Sequence, residues 1–223
     1  MKTMVTCDTA LLALKGPPTA MEAPLPTFSV LRKDFLNILT LIHSYTTRLW
    51  MALGKKPSTP AAAVPILETL SQHIQNLSGC AGAFDRNRFG NSLSNEARLA
   101  TQEVLQATKV LLNAYANDFA DPDSSQRTGS VHDACDRHRG ISMDNREAVA
   151  KIWKNDQDAL KDALKEVEEL LSPSDDVALG SGWDELDGEL GEIAPELTED
   201  EVSLVKKVMC LCLSCYIDFL TCV

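Results

Sequence analysis

The sequence predicts an all-α protein, an antiparallel bundle of four to five long helices with an acidic disordered insertion. Three observations predict it. Apolar side chains return every three or four positions over most of the chain, which gathers them on one stripe of a helix and cannot line one face of a strand. No segment alternates apolar and polar residues for long enough to make a strand, and no repeat of about 20 to 50 residues is apparent. The excess charge sits in a single Gly-containing segment that has no stripe at all.

Residues 1–27 hold Pro17, Pro18, Pro24 and Pro26 with little periodicity and read as a flexible lead-in. From Phe28 a helical stripe runs through Leu31, Phe35, Ile38, Ile42, Tyr45 and Leu49, until Gly54, Lys55, Lys56, Pro57 and Pro60 end it. A second helix from near Ala61 carries Leu67, Leu70, Ile74, Leu77 and Ala81, with Gly79 and Gly82 closing it. A polar loop spans Asp85 to Asn91. The third stripe is Leu93, Ala97, Ala100, Val104, Ala107, Leu111 and Ala114, whose alanines allow close approach of a neighbouring helix. After a turn at Asp121–Ser125, a short segment from Ser130 to Arg137 makes about two helical turns. The longest helix runs from near Asp144 to Leu171, with Val149, Ile152, Leu160, Ala163, Val167 and Leu170 as its stripe and Trp153 beside it. Ser172-Pro173-Ser174 stops it.

The bundle domain is therefore 28–171, followed by an acidic, disordered linker at 172–197. Thr198-x-x-Glu201 then forms a capping box for a last helix at 198–223, which is apolar nearly all round after Met209 and expects burial on every side. Ser172, before Pro173, and Thr198 each read as a helix stop or cap, with phosphorylation as the alternative.

The chain has 223 residues and a formal net charge of −11. Eleven acids and no Lys or Arg lie between Ser172 and Glu201; setting them aside from the 32 leaves 21, equal to the 21 Lys and Arg. A neutral body with one negative belt argues against direct binding of nucleic acid, which needs clustered positive charge. It argues equally against anionic membrane, and it favours basic partners. No window approaches the roughly 20 apolar residues of a membrane span. Seven irregularly spaced cysteines make no disulfide framework, and the short apolar patch Ala10–Leu14 lacks the basic run of a secretory signal, so cytoplasm or nucleus is expected.

Candidate chemistry dissolves on inspection. Cys210, Cys212 and Cys215 form a C-x-C-x-x-C run without an interleaved His or acid, and read as buried small apolar residues in place of a zinc site. Asp133, Cys135, Asp136 and His138 crowd together, yet no oxyanion element follows, so Cys135 is read as packing inward beside Val131. Gly180-Ser181-Gly182 has neither a strand before it nor a Lys after it and is a linker. No catalytic, cofactor or metal residue is expected. The opposing hypothesis is a metal-binding or hydrolytic enzyme using the Asp133–His138 cluster or the terminal cysteines. Trp183 among Asp184, Glu185 and Asp187 leaves two readings open: an amphipathic acidic segment that binds a partner, or a Trp that folds back on the bundle.

The stretch Gly129-Ser130-Val131-His132-Asp133-Ala134-Cys135, then Asp144-Asn145-Arg146, then Leu160-Lys161-Asp162-Ala163, resembles the cyclin-D-interacting protein family (GCIP-like). The acidic belt, Thr198-Glu199-Asp200-Glu201, the run Leu99-Ala100-Thr101 and the order of segments over about 28–215 are similar too. The resemblance implies an all-helical fold without enzymatic activity, and regulatory binding to cyclin-like and helix-loop-helix-type proteins in cytoplasm and nucleus. It also implies structural roles for Ser130, Val131, Ala134, Cys135, Asp144, Asn145, Lys161, Asp162 and Ala163. Two departures stand out: His132 lies where the family tends to carry Trp, and family members continue with further helices where this chain stops at Val223. The last helix is therefore expected to be incomplete, and its apolar surface to favour self-association.

Overall fold

The stripes read between Phe28 and Leu171 all become helices. The computed structural model describes residues 2–15, 26–54, 58–117 and 123–171, with 203, 204 and 207. The elements are α1 (Lys2–Lys15), α2 (Phe28–Leu53), α3 (Pro60–Ala83), α4 (Arg86–Phe89), α5 (Asn91–Asn117), α6 (Ser124–Arg137) and α7 (Asn145–Leu171). A 3-10 turn at His138–Gly140 leads from α6 toward α7, and no strand occurs among the described residues. Residues up to Lys151 make one compact unit and those from Ile152 another, so the boundary falls inside α7.

In the first unit the helices close into a ring, α2 against α3, α3 against α1, α1 against α5, α5 against α6 and α6 back against α2. Side-chain contacts give the directions. The α2–α6 pair is antiparallel: Gly54 lies beside Ser124, Thr47 meets His132, and Arg32 reaches Ile141. Asp8 with Lys109 and Leu14 with Arg98 make α1 antiparallel to α5. Thr3 to Leu67, Thr6 to Ser71 and Ser78 to Ala10 make α1 parallel to α3. A ring with an odd number of members cannot alternate throughout, and α1–α3 is the parallel pair. Between them runs a groove lined by Thr6, Thr9, Ala10, Ala13 and Ser78, with Val5 and Gln75.

The ring encloses an apolar core that includes Phe35, Leu39, Ile42, Leu70, Ile74, Leu77, Val104, Leu105 and Leu111, all fully buried. Phe84, just past α3, closes one end by packing edge-on against Phe35 (5.7 Å) and Phe28 (6.2 Å), with Phe89 of α4 beside them. The 85–91 segment, expected as a plain polar loop, thus contains a helical turn that seats an aromatic ring.

Other expectations change. Lys2–Lys15, expected as part of a flexible lead-in, is helix α1, and it buries Cys7, Ala10 and Leu14 in the core. Met4 and Leu11 pack against the core beside them, so a helical stripe at Met4, Cys7, Leu11 and Leu14 does precede the prolines from which 1–27 is read as a lead-in. Gly79 and Gly82 do not end α3; it continues to Ala83, because Ala81 and Ala83 are buried while both glycines are exposed. Helix α6 begins at Ser124, six residues before its expected start. On α2 the buried arc uses Leu39 and Thr46 where the stripe had Ile38 and Tyr45, since α2 packs on two neighbours and not one. Thr46, Thr101 and Thr108 are buried because each hydroxyl bonds the carbonyl four residues earlier.

Helix α7 departs most from expectation. Ala148 is buried, but Val149 and Ile152 of the expected core stripe are 48% and 49% exposed, Ala163 is exposed and Leu160 is half-buried. The side chains of Val167 and Leu170 lie outside the described residues. Periodicity shows that a helix has an apolar face; it does not show what covers it.

Candidate interaction site

The motif residues meet where α6 hands over to α7. Asp144 accepts the Glu147 N–H at 2.8 Å, capping the first turn of α7, and Glu147 accepts the N–H of Met143, one residue before the cap, at 2.6 Å. Asn145 does something less usual. Its side-chain oxygen accepts the Leu93 N–H at 3.1 Å, capping the amino end of α5 from another helix. Gly90 makes this possible. Its φ of +91° suits glycine, and any Cβ there would overlap the Asn145 carboxamide.

Three further side chains clamp the connection. Arg32 of α2 donates from Nε and Nη2 to the Ile141 carbonyl at 3.3 and 3.2 Å. Glu96 of α5 accepts the Ser142 N–H, both carboxylate oxygens lying at 3.3 Å, and also accepts from Lys151 Nζ at 3.0 Å. Lys151 donates as well to the Gly140 carbonyl. One turn below Leu99, Glu103 pairs with His138 and Arg137, both at 2.6 Å. The exposed pairs contribute little individually. The clamp's specificity comes from Arg32 and Glu96 holding backbone groups that no helix satisfies.

Of the remaining motif residues, Val131, Ala134 and Cys135 are buried in the α6 packing face, as read for Cys135 and Val131, while Ser130 is exposed and bonds back to the Gln126 carbonyl. Lys161, Asp162 and Ala163 are exposed on α7, with Lys161 3.7 Å from Asp158. His132 stacks on His43, ring centroids 3.7 Å apart and planes 16° from parallel, with Nε2 3.1 Å from Thr47 Oγ1. Burial, then the neighbouring His43, pushes its pKa below the ordinary 6.5.

The Asp133–His138 cluster does not assemble. Asp133 and Asp136 are exposed, and His138 is engaged by Glu103. Burial, with Asp136 adding to it, pushes the Cys135 thiol up to about 12, far from a reactive thiolate. Cys7 and Cys80 are raised likewise to about 12, again chiefly by burial. No group of three His, Cys, Asp or Glu able to hold a metal occurs among the described residues. Trp183, Asp184, Glu185, Asp187 and the cysteines from Cys210 onward lie outside the described residues.

Arg32, Glu96, Glu103 and Lys151 were not singled out from the sequence. Glu96 and Glu103, seven apart around Leu99, do share one helix face, but their partners are 34 to 55 positions away. Asp144, three residues before Glu147 at the start of α7, carries the spacing of a helix cap. Around the clamp, Leu99, Met143 and Val149 are 63%, 59% and 48% exposed. The junction thus offers apolar side chains beside held charges, a surface suited to docking.

Fold and junction together define an all-helical protein in which Asp144 and Asn145 of the motif tie α7 to the end of α5, while Val131, Ala134 and Cys135 pack α6. The family model "Grap2 and cyclin-D-interacting, N-terminal" matches residues 34–173, and the chain belongs to that family. It is similar to an uncharacterized protein of Schizosaccharomyces pombe, 24% identical over 214 residues, covering 91% of this chain and 60% of that one. It is also similar to the Cyclin-D1-binding protein 1 homolog of Danio rerio, 36% identical over 90 residues, covering 39% of this chain and 26% of that one. The chain therefore spans less than two thirds of the length of either relative. No solved structure matches it.

Proposed function

We propose that this chain is a non-enzymatic interaction module that restrains cell-cycle progression by binding cyclin-like or helix-loop-helix-type proteins in the cytoplasm and nucleus. Membership in the cyclin-D-interacting family carries the reading, and the Danio rerio relative is named for binding Cyclin-D1. The burial of its motif residues supports a scaffold, since Val131, Ala134 and Cys135 pack and Asp144 and Asn145 cap. The acidic belt at 172–201 adds attraction for basic partners, with Trp183, Asp184, Glu185 and Asp187 as its contact residues. The apolar segment 202–219 is the surface for self-association.

Binding of purified cyclin D to the immobilised full chain, measured by surface plasmon resonance, tests the reading. Measurable binding is expected, and deleting 172–201 is expected to weaken capture of a basic partner at low salt but not at high salt. Absence of binding to cyclin D overturns the partner. Deletion without effect at every ionic strength removes the role of the belt.

A further inference from the structure

Ser142 is fully buried at the α6–α7 junction, and its hydroxyl has no hydrogen-bond partner among the described residues. Alanine would fill the place without leaving a polar atom dry, so packing does not account for a serine there. The sequence leading to it reads Arg137-His138-Arg139-Gly140-Ile141-Ser142-Met143. Guanidinium groups thus stand five and three residues before a hydroxyl, with an apolar side chain directly after it. Kinases that select basic substrates hold such arginines in acidic pockets through charge-assisted, bidentate hydrogen bonds. Both arginines have exposed side chains, at 63% and 50%, in surface ion pairs with Glu103 and Asp136 that cost little to exchange. Gly140, Met143 and Asp144 are exposed as well.

We propose that Ser142 is a phosphorylation site for a basic-residue-directed serine kinase, presented when the Glu96 clamp opens, and that its phosphate keeps the junction open. In the transfer, Ser142 Oγ bonds to the γ-phosphorus of ATP as the bond to ADP oxygen breaks, and the hydroxyl proton passes to the carboxylate base of the kinase. The product carries about −1.5 to −2 charge on the residue whose N–H Glu96 holds, with both carboxylate oxygens at 3.3 Å. A dianion in a site of zero exposure beside that carboxylate is incompatible with the closed clamp. Glu96 gives up the Ser142 N–H, and Lys151 and Arg32, already at Gly140 and Ile141, turn to the phosphate. Because only the open state is modified, whatever opens the clamp speeds modification. The proposal stands apart from partner binding and does not depend on it.

The test uses the full chain, its Ser142→Ala and Glu96→Ala variants and a peptide of residues 135–146, each incubated with ATP and the purified catalytic domain of such a kinase. Phosphate is expected on Ser142 by mass spectrometry, absent in Ser142→Ala, and added about tenfold faster in Glu96→Ala, the shift from losing one hydrogen bond to a charged acceptor. Glu96→Gln, which keeps the side-chain volume, gives the same direction should Glu96→Ala not fold. Hydrogen exchange at the Ser142 amide is expected to accelerate once the phosphate is added. A peptide that is not modified overturns the proposal, as does a peptide that is modified while every folded form is refused. Equal rates with and without Glu96, or unchanged amide protection in the phosphorylated chain, overturn the coupling to the clamp.

Discussion

Replacing Asn145 by Ala removes the acceptor that closes the amino end of α5 from the first turn of α7. The Leu93 N–H it serves belongs to a residue only 1% exposed, so water does not readily replace the lost oxygen. The expected loss is about 1–3 kcal/mol, the cost of a missing cap in a place where the donor stays dry. Asn145→Asp, which keeps an acceptor oxygen, is expected to stay near wild type. Gly90→Ala reaches the same bond from the other side. It meets backbone strain of about 1–3 kcal/mol at a φ of +91° and also displaces the carboxamide. In the double variant that carboxamide is already gone, so the combined loss is expected to fall short of the sum by about 1 kcal/mol. Urea unfolding of the four proteins, with midpoints compared at constant slope, measures the cycle. Strict additivity would refute the proposed packing of Gly90 on Asn145, and an Asn145→Ala variant as stable as wild type would refute the cap.

Three further outcomes follow from the same structure. Leu14→Ala, at a position 4% exposed on α1, is expected to cost about 2–5 kcal/mol in chemical denaturation; a cost near zero would mean that α1 does not complete the ring. His132 and His73 both lie below their ordinary 6.5, chiefly through burial, so the unfolded chain takes up protons that the fold resists. Their contribution is intact above about pH 6.5 and is lost as pH falls through it; His132→Asn should flatten the melting temperature between about pH 7.5 and 5.5, and an unaltered slope argues against the stacked pair as its source. Cys7 and Cys135, fully buried with thiols raised to about 12, are expected to resist iodoacetamide at neutral pH until denaturant is added, and rapid native labelling by mass spectrometry contradicts that burial.

Much of the fold was legible because a helix repeats every 3.6 residues and an apolar stripe of that period has no other use. Leu31, Phe35, Ile42 and Leu49 kept their places on α2 for that reason, as did Leu70, Ile74 and Leu77 on α3. The inward placement of Val131 and Cys135 was readable too, four apart on one face of α6. Helix α1 was missed: Met4, Cys7, Leu11 and Leu14 recur every three or four positions and pack on the core with Ala10, but the prolines at 17, 18, 24 and 26 set the reading of the whole lead-in. The junction was not read from the sequence: apart from the Asp144–Glu147 pair, three residues apart, its ties join residues far from one another along the chain.

The sequence by itself determined that the striped segments between Phe28 and Leu171 coil, where most of them stop, and where the negative charge collects, since each of these depends on near neighbours along the chain. Only the tertiary structure decided that Asn145 caps α5, that Arg32 and Glu96 hold the backbone before α7, and that Val149 and Ile152 face outward. Those outcomes depend on which helix lies alongside which, and hydrogen bonds spanning 46 to 109 positions leave no periodic trace in the order of residues.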